Sequence, residues 1–269
     1  EKRCETPHDR PDRGANGLYP IIMRFHRERF GTARHVCVNF KLNLKSAQNG
    51  GTPAYVIDRQ IAAELKDATS EYPVVAVLGP RQSGKTTLVR MAYPERAYRS
   101  LEDPDVRAAA RMDPRGFLAE LGDGAILDEI QRAPELLSYI QGIVDRSGKP
   151  GAFILTGSHQ PKLHAAVSQS LAGRAAILTL MGFSLEELSH YRVWDDPYEL
   201  IARGAFPGLH EHGLKTRRFY ASYVQTYLER DVRALINLKD LSRFQVLLTL
   251  LAGRIGQVVN YTALSNDVG

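Results

Sequence analysis

The densest chemistry in the chain lies in nine consecutive residues, Gly79, Pro80, Arg81, Gln82, Ser83, Gly84, Lys85, Thr86 and Thr87. The first eight fit G-x-x-x-x-G-K-[ST], a spacing that lets a backbone wrap a chain of phosphates. Gly79 and Gly84 permit the close turn, so successive N–H groups point inward at phosphate oxygens. A helix opening at Gly84 adds the partial positive charge of its N-terminus. Lys85 is placed to reach the β- and γ-phosphates, and the Thr86 hydroxyl to ligate Mg²⁺. All nine residues are therefore expected to bind a nucleoside triphosphate. No guanine-reading N-K-x-D follows, which favours adenine.

A second group follows about forty residues later. Asp128 and Glu129 close the apolar run AIL. An aspartate at the end of a buried strand beside the loop suits a metal ligand. A glutamate next to it suits a general base that polarises the attacking water. Thr156 and Ser158 end a further apolar run. Their hydroxyls fit either a contact to the γ-phosphate and its water, or an ordinary strand-to-helix turn with a capping hydroxyl.

These residues need a scaffold that brings them to one rim. Val74–Leu78 is a short, continuous apolar run ended by Gly79 and Pro80, as in a buried parallel strand. Tyr98–Leu101, Ala125–Leu127, Phe153–Leu155 and Ala176–Leu180 read as four more strands. Between them lie helical patterns: one over 56–68 (Val56, Ile57, Ile61, Leu65, Ala68) and one after the loop to about Met91. Short helices are predicted at about 104–111 and 114–121, each opening at a proline. Pro134 to about Arg146 is predicted as a helix, with Leu137, Ile140 and Val144 on one face. Strands alternating with helices imply a parallel sheet covered on both faces, which binds ligands at the carboxyl ends of its strands. Gly79, Asp128 and Thr156 all fall at such ends.

Beyond residue 183 the pattern is helical. The segment 214–236 places Phe219, Tyr223, Tyr227 and Leu228 on one stripe, and 241–252 is a further apolar helix. The closing NYTALSNDVG resembles the first helix of a helix-turn-helix.

Composition narrows the function classes. The chain has 269 residues and a net charge of +5, yet residues 1–50 hold 10 Lys/Arg against 5 Asp/Glu, while residues 51–269 hold 25 of each. A neutral body offers no global field for a polyanion. The two cysteines, Cys4 and Cys37, suggest neither a metal site nor a disulfide framework. Absence of a long apolar run or signal-like start leads to the expectation of a cytoplasmic protein without a membrane span.

Taken together, GPRQSGKTTLVR, LEDPDVRAAARMDP, ILDEIQRAPELLSYIQGIVD, FILTGSH, SLAGR, GAFPG and YVQTYLERDVRALINL resemble prokaryotic ATP-binding proteins of the AAA superfamily that carry a C-terminal domain of unknown function. The resemblance covers residues from about 55 to 269. It implies an α/β fold: a P-loop NTPase core of the AAA type with a parallel five-stranded sheet flanked by helices, then a helical region and the start of a winged-helix segment. The expected division is 1–53 as a disordered or non-native leader, 54–190 as the ATPase core, 191–256 as a helical region and 257–269 as a winged helix-turn-helix cut short. It further implies ATP with Mg²⁺, Asp128 and Glu129 as the metal-holding and water-activating pair, and Thr156 at the polar sensor position.

Arg174, in SLAGR, is a candidate for stabilising γ-phosphate charge in cis or from a neighbouring subunit of a homo-oligomer. It fits a structural arginine bonding a helix end as well; Arg230 and Arg233 have weaker claims. The function expected is Mg²⁺-dependent ATP hydrolysis coupled to a conformational change. The alternative is a nucleotide-gated regulatory module, with DNA reached only through the region after Gly269. A small-molecule kinase fits less well, because an adjacent Asp-Glu pair suits water activation.

Overall fold

The structure, a computed structural model, describes residues 57–122, 124–158, 161–192, 194, 196–228 and 241–268. The expectations for the leader 1–53, for Arg230 and for Arg233 lie outside the described residues. Five strands form: β1 (Val74–Gly79), β2 (Ala97–Ser100), β3 (Ala125–Asp128), β4 (Phe153–Ser158) and β5 (Ala175–Thr179). They pair in parallel throughout, in the order β2-β3-β4-β1-β5. Helices α1 (Ile61–Glu71), α2 (Lys85–Ala92), α3 (Pro104–Met112), α4 (Pro114–Ala119), α5 (Leu136–Ser147) and α6 (Pro161–Ser170) precede or connect the strands.

The continuous apolar run of β1 is explained by the two faces it serves. Val74, Ala76 and Leu78 join a cluster with Leu137, Ile140 and Val144 of α5. Val75 and Val77 join another with Leu65 of α1 and with Leu88 and Val89 of α2. Successive side chains of a strand point to opposite faces, so a strand covered on both sides has no polar position to spare. Burying each of the larger side chains contributes about 1.5–3 kcal/mol.

The register sets the rim. Gly79 lies opposite Ser158, and Ser100 opposite Asp128. Leu127 lies opposite Leu155, so Asp128 and Thr156 are the next residues on adjoining strands. The ends of β2 and β3 are level with Thr156, and β4 and β1 run two residues further, to Ser158 and Gly79. Two crossover helices start as the prolines require: Asp103 and Asp113 cap α3 and α4, accepting from the N–H groups of Asp105 and Gly116, with proline at the first helical position.

Beyond β5 come α7 (Leu185–Tyr191), α8 (Pro197–Arg203), α9 (Pro207–Glu211), α10 (Thr216–Tyr223), a π-helical turn (Val224–Leu228), α11 (Leu241–Ala252) and α12 (Tyr261–Val268). No helix among the described residues is long and apolar enough to cross a membrane.

Two helical expectations are corrected. The first helix starts at Ile61 rather than residue 56. The N–H groups of Ile57 and Gln60 are taken by the Glu211 and Glu187 carboxylates at 3.2 and 2.8 Å. Ile57 packs with Phe183 and Leu188 instead of continuing a helical stripe. Where the helix expected over 214–236 falls on described residues, it is α-helical for Thr216–Tyr223 and then widens into the π-helical turn. The side chains of Tyr227 and Leu228, and residues 229–240, lie outside the described residues.

Candidate functional site

The phosphate-loop motif occupies the turn between β1 and α2. Gly79 ends β1, an interior strand, where a Cβ would overlap the carbonyl oxygen of Leu180. That carbonyl belongs to the residue whose N–H donates to Leu78 O at 2.7 Å, so nothing there can move aside cheaply. Gly84 has φ 92°, in the left-handed region that glycine adopts without steric cost. Gln82 also takes a positive φ, 60°. The Ser83 hydroxyl is buried without a hydrogen-bond partner among the described residues. An orphaned hydroxyl in such a loop fits an anion arriving to accept from it. Arg81, Gln82 and Thr87 stand along the loop's more open side, with Gln82 and Thr87 exposed.

Lys85 is only 5% exposed, and its ammonium donates to the carbonyl oxygens of Gly79 at 3.1 Å and Pro80 at 2.8 Å. These bonds hold a cation directly over the turn. Thr86, one residue on, donates from Oγ1 to Asp128 Oδ1 at 3.0 Å and Oδ2 at 3.1 Å. The hydroxyl of α2 and the carboxylate of β3 therefore converge on one point. Two hard oxygen donors beside a phosphate loop are the donor set that Mg²⁺ uses when substrate phosphates and water complete its shell. No cluster of three or more His, Cys, Asp or Glu able to hold a metal occurs among the described residues, in keeping with so sparse a set.

Asp128 is 6% exposed, and its charge is offset by three hydroxyl donors, from Thr86, Thr156 and Tyr98. Tyr98, on the edge strand β2, donates to Oδ2 at 2.8 Å. Burial first, then the bond to and the charge of Asp128, push the Tyr98 phenol up to about 12. Sequence reasoning missed this residue, because a tyrosine in a short, half-buried strand carries no signal beyond packing.

Glu129 follows with φ 59° and ψ 47°, a left-handed conformation rare for a residue with a side chain. Its N–H donates to Thr156 Oγ1 at 3.3 Å, and the same hydroxyl donates to Asp128. Thr156 thus bridges the backbone of one acidic residue and the carboxylate of the other. Gln131, a residue with no prior signal, donates from Nε2 to Glu129 and, at 3.5 Å, to Ser158 Oγ.

Arg174 is not brought to this rim. Its carbonyl accepts from Val74 N at the amino end of β1, so the length of the strand, roughly 16 Å at 3.3 Å per residue, separates it from the loop. Its guanidinium bonds both carboxylate oxygens of Asp145, one at 3.1 Å, and the Ala172 carbonyl at 2.9 Å. The expectation that Arg174 acts on the γ-phosphate in cis is corrected by this placement, since parallel strands put their two ends on opposite sides of the sheet.

A cleft of about 1070 Å³ opens beside the loop. Gly84–Thr87 and Glu129 form one wall, Ile57 and Arg59 another, and Pro207, Phe219 and Tyr223 of the helical region a third. Its size suits a drug-sized or nucleotide-sized ligand. The Tyr223 hydroxyl also donates to the loop carbonyl of Arg81 at 3.4 Å.

Residues 71–189 match the model of an AAA domain, and residues 195–269 match a domain of unknown function (DUF8612). Two uncharacterized mycobacterial proteins, Mb2031c of Mycobacterium bovis and Rv2008c of Mycobacterium tuberculosis, are 32% identical over 218 residues. Those residues are 78% of this chain and 47% of each relative, so the chain spans about half the length of the curated relatives it matches. Among solved structures, the Walker-type ATPase PABY2304 of Pyrococcus abyssi aligns at 18% identity with a TM-score of 0.40, over 74% of this chain and 76% of that one. AMPPCP-bound DnaA from Aquifex aeolicus aligns at 16% identity with a TM-score of 0.41, over 77% and 73%.

Proposed function

Because this chain belongs to the prokaryotic AAA-type P-loop family that carries a C-terminal domain of unknown function, we propose that it binds ATP with Mg²⁺ and hydrolyses it, the cycle driving a conformational change in the region that follows the sheet. The observation that carries this reading is the meeting of Thr86 and Asp128 at 3.0 Å, one residue before Glu129.

In this reading the N–H groups of Arg81–Thr87 and the N-terminus of α2 cradle the phosphates. The Lys85 ammonium exchanges its carbonyl partners for β- and γ-phosphate oxygens. Thr86 and Asp128 would hold Mg²⁺, which when bound offsets negative charge on the β- and γ-phosphates. Glu129 accepts a proton from water as its oxygen attacks the γ-phosphorus; the bond to the β-phosphate oxygen breaks, giving ADP and inorganic phosphate. Thr156 keeps the two acidic residues in fixed relation. Arg174 reaches a phosphate only on a neighbouring copy, which makes a homo-oligomer part of the proposal.

Titration calorimetry with ATP tests the core of it. Lys85→Ala should raise the dissociation constant by about tenfold or more, the effect of losing a charge-assisted contact to phosphate. Unchanged affinity in Lys85→Ala would remove the phosphate site from the loop.

A further inference from the structure

Arg59 belongs to none of the motifs above, yet four of its N–H donors, a guanidinium having five, are engaged with groups distant in sequence. Nη1 donates to the loop carbonyl of Ser83 at 2.7 Å. Nη2 donates to the carbonyls of Met181 at 2.8 Å and Gly182 at 3.1 Å, just after β5. Nε pairs with Glu187 at 3.1 Å, and Cζ lies 4.9 Å from the centre of the Phe183 ring.

We propose that Arg59 is a positioning residue for the phosphate loop, and that Glu187 ties its placement to the helical region beginning at α7. This rests on the reading of the loop as a nucleotide site. The C=O and N–H of one planar trans peptide point in opposite directions. Holding Ser83 O therefore fixes the direction of the Gly84 N–H, an amide of the phosphate-binding turn. A loop that must present several amides at once gains affinity from having each peptide plane set beforehand.

The pair is buried, with side-chain exposures of 9% for Arg59 and 5% for Glu187. Every acceptor of Glu187 is used for assembly. Oε1 takes Arg59 and the Gln60 N–H at 2.8 Å, and Oε2 takes the Ser184 N–H at 2.8 Å. Ser184 in turn donates to the Gln60 side chain at 3.0 Å and caps α7 through the Glu187 N–H. A lysine at position 59 could meet one carbonyl but not reproduce the planar fork that spans the Ser83, Met181 and Gly182 carbonyls and the Glu187 carboxylate.

Calorimetric titration of ATP and ADP into wild type, Arg59→Ala, Arg59→Lys, Glu187→Gln and Lys85→Ala tests this, reading affinity and stoichiometry separately. The expected result is full stoichiometry in Arg59→Ala with ATP and ADP affinity reduced about tenfold, a loss of 1.4 kcal/mol. Partial recovery is expected in Arg59→Lys and a smaller loss in Glu187→Gln. Reduced stoichiometry at the wild-type dissociation constant would mean that Arg59 serves folding alone, and overturns the proposal. Should Arg59→Ala not fold, wild-type affinity at full stoichiometry in Arg59→Lys and Glu187→Gln overturns it equally. If wild type and Lys85→Ala bind ATP alike, the nucleotide reading itself falls, a result separable from failure of the Arg59 variants.

Discussion

The Tyr98 hydroxyl donates to Asp128 Oδ2 at 2.8 Å, joining the edge strand of the sheet to the carboxylate on the neighbouring strand. Together with Thr86 and Thr156 it leaves Asp128 few ways to turn. Tyr98→Phe should keep the fold and raise the Mg²⁺ concentration needed for half-maximal ATP turnover by about tenfold, the lower end of the effect of one hydrogen bond to a charged group. A magnesium titration of ATPase rate at saturating ATP checks it; an unchanged midpoint would free Asp128 from Tyr98.

The burial of Tyr98, and after it this contact, predicts a pH dependence. The folded protein holds the phenol up to about 12, above its ordinary value of 10.0. The stabilisation from this group is therefore complete below pH 10 and is lost as pH rises toward 12. Wild type should lose urea resistance more steeply than Tyr98→Phe across that window. Urea midpoints of both proteins at pH 9 and pH 11 measure the difference.

Glu129→Gln preserves the shape of the side chain and removes its basicity. Turnover should fall by about 10²–10⁴, the range for loss of a general base, with the ATP dissociation constant within about twofold of wild type. Steady-state rates beside calorimetry separate the two. A variant that still turns over at the wild-type rate would pass the role of base to another group.

The two glycines of the loop should differ in their response to a methyl group. On Gly79 it meets the Leu180 backbone, whereas on Gly84 the nearest atoms are 3.6 and 3.7 Å away and only the left-handed backbone objects. Gly84→Ala should cost about 1–2 kcal/mol. Gly79→Ala should cost more, because it separates the ends of β1 and β5. Chemical denaturation of both gives the order, and a reversed order would mean that the Leu180 carbonyl can move aside.

Arg174→Ala should leave ATP affinity unchanged, since the side chain sits at the far end of β1. If it acts on a neighbouring copy, turnover falls in the variant, and wild-type specific activity rises with protein concentration. Concentration-independent activity, equal in both proteins, would reduce Arg174 to its bond with Asp145.

The parallel sheet, its helices and the convergence of Gly79, Asp128 and Thr156 were legible in the sequence, because each rests on a local pattern. Apolar runs of strand length, prolines at helix starts and the loop spacing are such patterns. Tyr98, Gln131 and Arg59 were not, since each has a partner 30, 27 or 24 or more residues away and none breaks the surrounding pattern. The misplaced start of α1 has the same origin. Tertiary acceptors on Glu187 and Glu211 claimed backbone N–H groups that periodicity assigned to a helix. For Arg174 the residue type did not show which end of the sheet it stands at; it directly precedes β5, beside the amino end of β1.

The interior position of β1, between β4 and β5 and buried from Val74 to Gly79, has a consequence for time as well as place. Amide hydrogens of Val74–Leu78 should exchange with solvent only through openings that part β1 from a neighbouring strand, and so more slowly than those at fraying helix ends. The loop is fastened to that slowly opening element. Fraying confined to helix ends should leave the phosphate-binding turn intact, and the site should be lost when β1 parts from β4 and β5.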